Sequence, residues 1–275
     1  RPTLSDRDLE ISNLGNQTYP MANKFVFLPP QSSLVSRWIP RLLDSAPGWT
    51  IATPESTDDT KRELADADAA FGTMNPELIA AARKLRWLQA PAAAPDAGYY
   101  FDELIAHPTK VTNFREIYND HISVQILTYI LSFTKHTHLY RDYQSERDWH
   151  KLDAPNHEIF LPESTVLIVG VGGIGTETAK LCKALGMHVL GIDARREDKP
   201  EWVDDMFGPE QLDAQLPNAD FVVLTIPHTP STEGLFNASK FALMKDSALF
   251  INIGRGMTTK LDDLNDALRS GGIAG

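Results

Sequence analysis

One stretch constrains the fold more than any other: VLIVGVGGIGTETAKLCKALGMHVLGID, from Val166 to Asp193. An apolar run enters three glycines, Gly170, Gly172 and Gly175. A helical pattern follows, and a second apolar run ends at Asp193. At a strand-to-helix turn the first glycine permits the tight bend, and the second lets the backbone come close to a pyrophosphate. The third lets the helix pack on the strand. The helix start offers unpaired N–H groups and the positive end of its dipole to phosphate. Asp193, 18 residues beyond Gly175, is placed to accept the hydroxyls of a ribose. The pattern therefore points to a dinucleotide. A glycine-rich turn without a ligand is the competing reading, and the position of the aspartate argues against it. The Asp193 carboxylate would repel a 2′-phosphate and favours NAD. Arg195 and Arg196 follow it after one alanine and would attract such a phosphate, so NADP stays open.

Strands and helices alternate on both sides of this motif. In the first part of the chain, residues 24–28, 49–53, 68–72, 86–90 and 110–113 read as strands. Apolar spacing predicts amphipathic helices in SLVSRWIPRLLDSA and NPELIAAARKL. Asn75 and Pro76 give the second an N-cap and a first-turn proline. A longer pattern, NDHISVQILTYILSFTKHTHLYRDYQ, breaks the rhythm. Asp120 reads as its N-cap, with Ile122, Ile126, Tyr129, Ile130 and Phe133 as one apolar stripe. Residues 145–165 read as irregular linkage. From Thr165 the alternation resumes with strands TVLIVG, MHVLGID, ADFVVLTIP and SALFINIG, and helices GIGTETAKLCKALG, GPEQLDAQL and TKLDDLNDALRSGG. The expected class is α/β, with two doubly wound parallel-sheet domains. One is flavodoxin-like and spans 1–117 behind a polar leader, 1–23. The other is a Rossmann domain spanning 118–275, and the chain crosses between them near 114–120.

Composition narrows the partners. A chain of 275 residues is long enough for two domains. With 26 basic and 37 acidic side chains it carries a net charge of −11, which disfavours nucleic acid. Cys182 is the single cysteine, so no intrachain disulfide forms, and a reducing, cytoplasmic setting is expected. It sits at helical spacing in AKLCKALG and reads as a packed thiol rather than a nucleophile. No apolar run is long enough to span a membrane, and the first twenty residues lack the apolar centre of a signal peptide. No metal site is expected.

The stretch IPHTPSTEGLFNASKFALMKDSALFINIGRG identifies a family. Pro227 ends a strand, Thr229–Leu235 follow as Thr-Pro-x-Thr-x-Gly-Leu, and Met244–Lys245 lead into a strand that ends in Asn252 and Arg255–Gly256. Together with VTNFREIYNDHISVQILTYILSF, this resembles the D-isomer-specific 2-hydroxyacid dehydrogenases over residues 85–275. The resemblance implies hydride transfer between NAD, or NADP, and C2 of a small 2-oxo or 2-hydroxy acid. It implies that Arg255 holds the acid's carboxylate and carbonyl oxygen. A planar, permanently charged fork suits that task, whereas a surface arginine in a turn is the plainer alternative. The backbone of Gly173 and Ile174 would meet the pyrophosphate and Asp193 the adenosine ribose. Thr225, Ile226 and Pro227 would lie beside the adenine end, with Thr232 in the loop that follows, and Ile253 and Gly254 near the nicotinamide. The family also implies a homodimer formed through the cofactor domain; burial within its own domain is the other use for the apolar stripe.

Three departures stand out. The family's carboxylate-cradling loop is APAAAPDAG here, where Pro91 and Pro95 offer no N–H, leaving Ala93 and Ala94 as its candidates. An Ala-Glu pair of the family's hinge helix is replaced by Val124–Gln125. The family's general acid is a histidine oriented by a glutamate, and both follow the arginine. After Arg255 this sequence reads GMTTKLDDLNDALRSGGIAG, with no histidine. His228 precedes Arg255 and matches no family acid. A chain truncated before its acid is therefore expected, with a redox-sensing dinucleotide module as the alternative reading.

Overall fold

The computed structural model describes residues 23–93, 97–149 and 159–275. Residues 1–22 of the polar leader, Ala94, Pro95 and residues 150–158 of the expected linkage thus lie outside the described residues. The chain divides into two compact units, Arg1–Arg115 and Glu116–Gly275.

The first unit runs β1 (Asn23–Phe27), α1 (Val35–Ser45), β2 (Trp49–Ala52), α2 (Thr57–Leu64), β3 (Ala69–Phe71), α3 (Pro76–Ala81), β4 (Trp87–Gln89), α4 (Asp102–Ala106) and β5 (Lys110–Thr112). Its strands are all parallel, in the flavodoxin-like order β2-β1-β3-β4-β5. One face of the sheet buries Val26, Ala70 and Leu88 against Leu64, Leu78, Ile79 and Leu104. Phe25 stands edge-on to Phe27, Trp49 and Trp87, and Phe27 to Phe71. The Asn75 cap forms, accepting the Leu78 N–H at 2.8 Å. Helix α3 stops at Ala81 rather than Leu85, and Ala82 and Leu85 are buried from a turn instead. Helix α2 carried no readable apolar period because TDDTKREL buries only Thr60 and Leu64. It starts on Ser56, whose hydroxyl accepts the Asp59 N–H.

The second unit begins with α5 (Asn119–Thr134) and α6 (Thr137–Glu146). It continues β6 (Thr165–Val169), α7 (Gly173–Ala184), β7 (His188–Ile192), β8 (Asp205–Phe207), α8 (Leu212–Gln215), β9 (Phe221–Leu224), α9 (Ala238–Phe241), β10 (Leu249–Asn252) and α10 (Leu261–Ser270). Five parallel strands in the order β10-β9-β6-β7-β8 make a Rossmann sheet. Strand β6 shows why both faces are covered. Val166 and Ile168 join Ile126, Ile130, Ala179 and Cys182 on one side. Leu167 and Val169 join Leu216, Phe236 and Phe241 on the other. A run apolar at every position needs two apolar neighbours, and it has them.

Several local expectations are corrected. The long helical pattern is two helices, because His136 takes a left-handed conformation (φ 52°) between them. Helix α5 starts at Asn119 with Tyr118 as its N-cap, so Asp120 lies in the first turn and accepts the His121 N–H. Of the stripe, Ile126 and Ile130 are fully buried, and Ile122 and Phe133 pack against the same core. Tyr129 is exposed. The GPEQLDAQL helix is one short α-helical turn, α8, between two 3-10 turns. Strand β8 was not expected. No helix among the described residues is long and apolar enough to cross a membrane.

Candidate functional site

Strand register gathers the second unit's candidates on one edge. Phe207, Ile192, Val169, Leu224 and Asn252 stand side by side across the five strands. Asp193, Gly170 and Thr225 each come one residue beyond that row, and Ile253 begins the turn after β10. The strand order reverses between β6 and β9, and in open α/β sheets the crevice at such a reversal is where ligands lie. Three strand spacings separate β7 from β10, about 14 Å.

The glycines divide into buried and exposed. Gly170 (φ 101°) needs its left-handed backbone, and a Cβ there would press on Thr225 and Ile226. A Cβ on buried Gly175 would collide with the Gly170 carbonyl oxygen, so only glycine lets α7 start this close to β6. Gly172 is the helix N-cap and is exposed; a Cβ there would meet nothing within 4 Å. No side chain caps α7, unlike α2 and α3. Its first-turn N–H groups, those of Gly173 and Ile174 among them, lack intrahelical acceptors. Open space over uncapped N–H groups fits the pyrophosphate of a dinucleotide. Asn119 presses on Gly173 from α5, where a Cβ would collide with its amide.

Asp193 is held by backbone. Its Oδ2 accepts the Val171 N–H at 2.8 Å, and its Oδ1 accepts those of Arg195 at 2.8 Å and Arg196 at 3.1 Å. Those donors fix the carboxylate at the end of β7, beside the glycine turn. The two arginines differ. The Arg195 side chain is exposed. The Arg196 guanidinium lies back over the turn, donating to the Val171 carbonyl at 2.7 Å and the Thr176 hydroxyl at 3.0 Å.

The turns after β9 and β10 are braced to each other and to the glycine turn. The Thr225 hydroxyl donates to the Gly170 carbonyl. A Cβ on Gly254 would collide with the Ile226 carbonyl, so these turns touch through backbone. Pro227 is exposed. The Thr232 hydroxyl donates to the Pro227 carbonyl at 2.7 Å and accepts the Thr229 N–H at 2.8 Å, closing its own loop. Asn252 organises the β10 turn: its Oδ1 accepts the Gly254 N–H at 2.9 Å, an Asx turn. Its Nδ2 reaches the Arg255 carbonyl and the Thr258 and Thr259 hydroxyls, at 3.1–3.2 Å. Ile253 packs against the core, whereas Arg255 follows it with an exposed side chain. The bracing role of Asn252 was not read from the sequence, although Asn-x-Gly is a legible turn signal.

The remaining candidates lie elsewhere. Ala93 belongs to the first unit and is half-buried; Ala94 is outside the described residues. His228 stands 3.6 Å from the Glu233 carboxylate, and His188 pairs with Asp204 at 3.3 Å on the amino side of the sheet. Burial pushes the Cys182 thiol up to about 12, which makes it inert. Among the described residues, no group of three or more His, Cys, Asp or Glu side chains is arranged to hold a metal ion.

Comparison with known proteins agrees with this geometry. Residues 127–275 match the family model described as D-isomer specific 2-hydroxyacid dehydrogenase, NAD binding domain. A D-lactate dehydrogenase of Streptococcus pyogenes serotype M1 is 28% identical over 224 residues, covering 81% of this chain and 67% of that protein. A human glyoxylate reductase/hydroxypyruvate reductase is 41% identical over 117 residues, covering 42% of this chain and 35% of its own length. Among solved structures, a D-isomer specific 2-hydroxyacid dehydrogenase family protein from Aeromonas salmonicida subsp. salmonicida A449 aligns with a TM-score of 0.77 at 27% identity. The alignment covers 92% of this chain and 79% of that one. A D-lactate dehydrogenase from Treponema pallidum aligns at 0.78 and 27%, over 92% and 77%.

Proposed function

The chain belongs to the D-isomer specific 2-hydroxyacid dehydrogenase family, and on that premise we propose that it binds NAD(H) and interconverts a small 2-oxo acid with its D-2-hydroxy acid. One observation carries the reading: the uncapped start of α7, beneath an exposed glycine, shares an edge with Asp193 and the Arg255 turn. When bound, the cofactor supplies or accepts the hydride. The N–H groups of Gly172, Gly173 and Ile174 take the pyrophosphate charge, and Gly170 and Gly175 allow the backbone path that presents them.

Asp193 accepts the adenosine ribose hydroxyls, and its charge favours NAD over NADP. Thr225, Ile226, Pro227 and Thr232 shape the adenine side, while Ile253 and Gly254 hold the backbone beside the nicotinamide. Arg255 pairs its fork with the substrate carboxylate and polarises the carbonyl oxygen that gains charge as hydride arrives. In the first unit, Ala93 and Ala94 keep N–H groups able to donate to a carboxylate. Exposed Val124, Tyr129, Leu139 and Tyr140 on α5 and α6 support a homodimer. The single, buried Cys182 agrees with a cytoplasmic site of action.

The test is titration with NADH and NADPH, then of the NADH complex with glyoxylate, hydroxypyruvate and phenylpyruvate. NADH should bind more tightly, Asp193→Ala should narrow the gap, and one acid should bind the complex. Arg255→Lys should weaken that acid by about 30-fold, since lysine keeps the charge but loses the two-bond fork, and one hydrogen bond to a charged group is worth roughly 2 kcal/mol. Tighter NADPH binding would overturn the cofactor assignment. An unchanged acid affinity in Arg255→Lys would overturn the role of Arg255.

A further inference from the structure

Arg196 would be a natural partner for a 2′-phosphate, yet its side chain is already engaged. Its Nη1 donates to the Val171 carbonyl at 2.7 Å and the Thr176 hydroxyl at 3.0 Å. Its Nε and Nη2 donate to the two carboxylate oxygens of Asp198, at 2.9 and 3.0 Å. A guanidinium has five N–H groups, and these contacts use four. Two of them form a fork-to-fork pair with a carboxylate two residues along the same loop, the strongest arrangement the two groups can make. The Arg196 pair holds the Asp198 carboxyl below its ordinary range. Arg196 is thus fixed from both sides: its own loop supplies the anion, and the glycine turn supplies a carbonyl and a hydroxyl. The Arg196 backbone N–H meanwhile donates to Asp193, so the side chain leaves from next to the ribose-facing carboxylate and is drawn back over the turn.

We propose that Asp198 is a second coenzyme-selecting residue. It acts as a positioning residue that holds Arg196 on the glycine turn and withholds it from a 2′-phosphate. Selection then has two layers. Asp193 repels the 2′-phosphate, and Asp198 occupies the nearby cation that would attract it. The inference rests on the NAD(H) site proposed above. It differs from a simple count of charges near the ribose, in which Arg195 and Arg196 would both favour NADP. It also makes Asp193 alone an incomplete switch: neutralising it removes repulsion without freeing the attracting group.

The experiment measures NADH and NADPH dissociation constants, by quenching of protein fluorescence, for the unmodified chain and four variants. These are Asp193→Ala, Asp198→Asn, the double variant, and the double variant with Arg196→Ala. Asp193→Ala should narrow the NADH preference without reversing it. Adding Asp198→Asn should tighten NADPH by about a further tenfold, the worth of one charge-assisted hydrogen bond, and move NADH less. Arg196→Ala in that background should remove the gain, and raised salt should weaken it. A merely structural Asp198 would change both coenzymes together and leave their ratio alone. A ratio unmoved by Asp198→Asn in the Asp193→Ala background, or a gain that survives Arg196→Ala, overturns the proposal while NADH binding itself stands. Absence of NADH binding by the unmodified chain overturns the site, and the proposal with it. Asp198→Ala repeats the test should the asparagine retain one bond to Arg196.

Discussion

The two units are built on the same opening, and they part company within a few residues of it. In each, a central parallel strand is started by an aspartate on its neighbour. The Asp68 carboxylate accepts the Lys24 N–H at 2.9 Å, and the Asp68 N–H returns a bond to the Lys24 carbonyl. Asp220 does the same for Thr165, at 2.8 Å. Each carboxylate also holds a cation, Arg86 in one case and Lys245 in the other. After the strand the two differ. Strand β1 runs into Leu28-Pro29-Pro30-Gln31, where two residues have no N–H and Gln31 ties the Phe27 and Pro54 carbonyls together. Strand β6 runs into Gly170-Val171-Gly172-Gly173 and directly into α7; neither α7 nor α1 has a side-chain cap, so the difference lies in the turn itself. Parallel pairing and strand initiation are shared although the strand orders differ, and the proposed anion site belongs to those few turn residues.

The comparison can be broken most severely at Gly175. Gly175→Ala sets a Cβ against the Gly170 carbonyl, and overpacking of this kind costs about 1–3 kcal/mol. NADH affinity should fall steeply with it, read by titration and melting together. A control in the first unit, Gly48→Ala in the turn before β2, sits at φ 90° with nothing within 4 Å of its Cβ. Backbone strain there costs roughly 1–2 kcal/mol and should leave NADH untouched. Should Gly175→Ala bind NADH normally, the turn is not the site.

Next in size are the paired aspartates. Asp68→Ala and Asp220→Ala should each cost about 1–3 kcal/mol in urea unfolding, because each strands a strand-starting N–H. Equal costs would sharpen the claim of a shared opening; a cost confined to one unit would break it. A third aspartate adds a pH dependence. Asp204 is bonded to the Val189 N–H at 2.8 Å and to Lys183 at 2.5 Å. Burial raises its pKa, but the Lys183 and Val189 bonds outweigh that and hold it below 3.8. A depressed carboxyl stabilises the fold above its unfolded pKa and loses that contribution as pH falls through the folded value. The unmodified chain should therefore lose its advantage over Asp204→Asn below about pH 3.8, in acid unfolding curves. The smallest effect is chemical. Cys182, on the buried face of α7, should resist thiol reagents at pH 8 and become labelled in urea, reporting the opening of the second unit alone.

What the sequence exposed and what it hid have physical reasons. Runs such as Val166–Val169 were legible because burial on two faces leaves no polar position. The three-residue edge strand β8 and the charged helix α2 gave no period to read. The break at His136 was invisible because apolar spacing continued across it, while α6 beyond it buries no residue. The glycine turn and the place of Asp193 beside it were legible because they depend on backbone and on order along the chain. The use of Arg196 was not. Its bonds to Val171 and Thr176 span 25 and 20 residues and exist only once β7 lies beside β6. Thr232 was expected to serve the coenzyme, and its hydroxyl is engaged in closing its own loop.

Hydrogen–deuterium exchange with and without NADH tests the central claim most directly, because it reads both strand-to-helix turns in one sample. The account predicts protection on binding across residues 171–176, with secondary protection at 193–196, and none across residues 28–35 after β1. Protection at 28–35 with no change at 171–176 would contradict it.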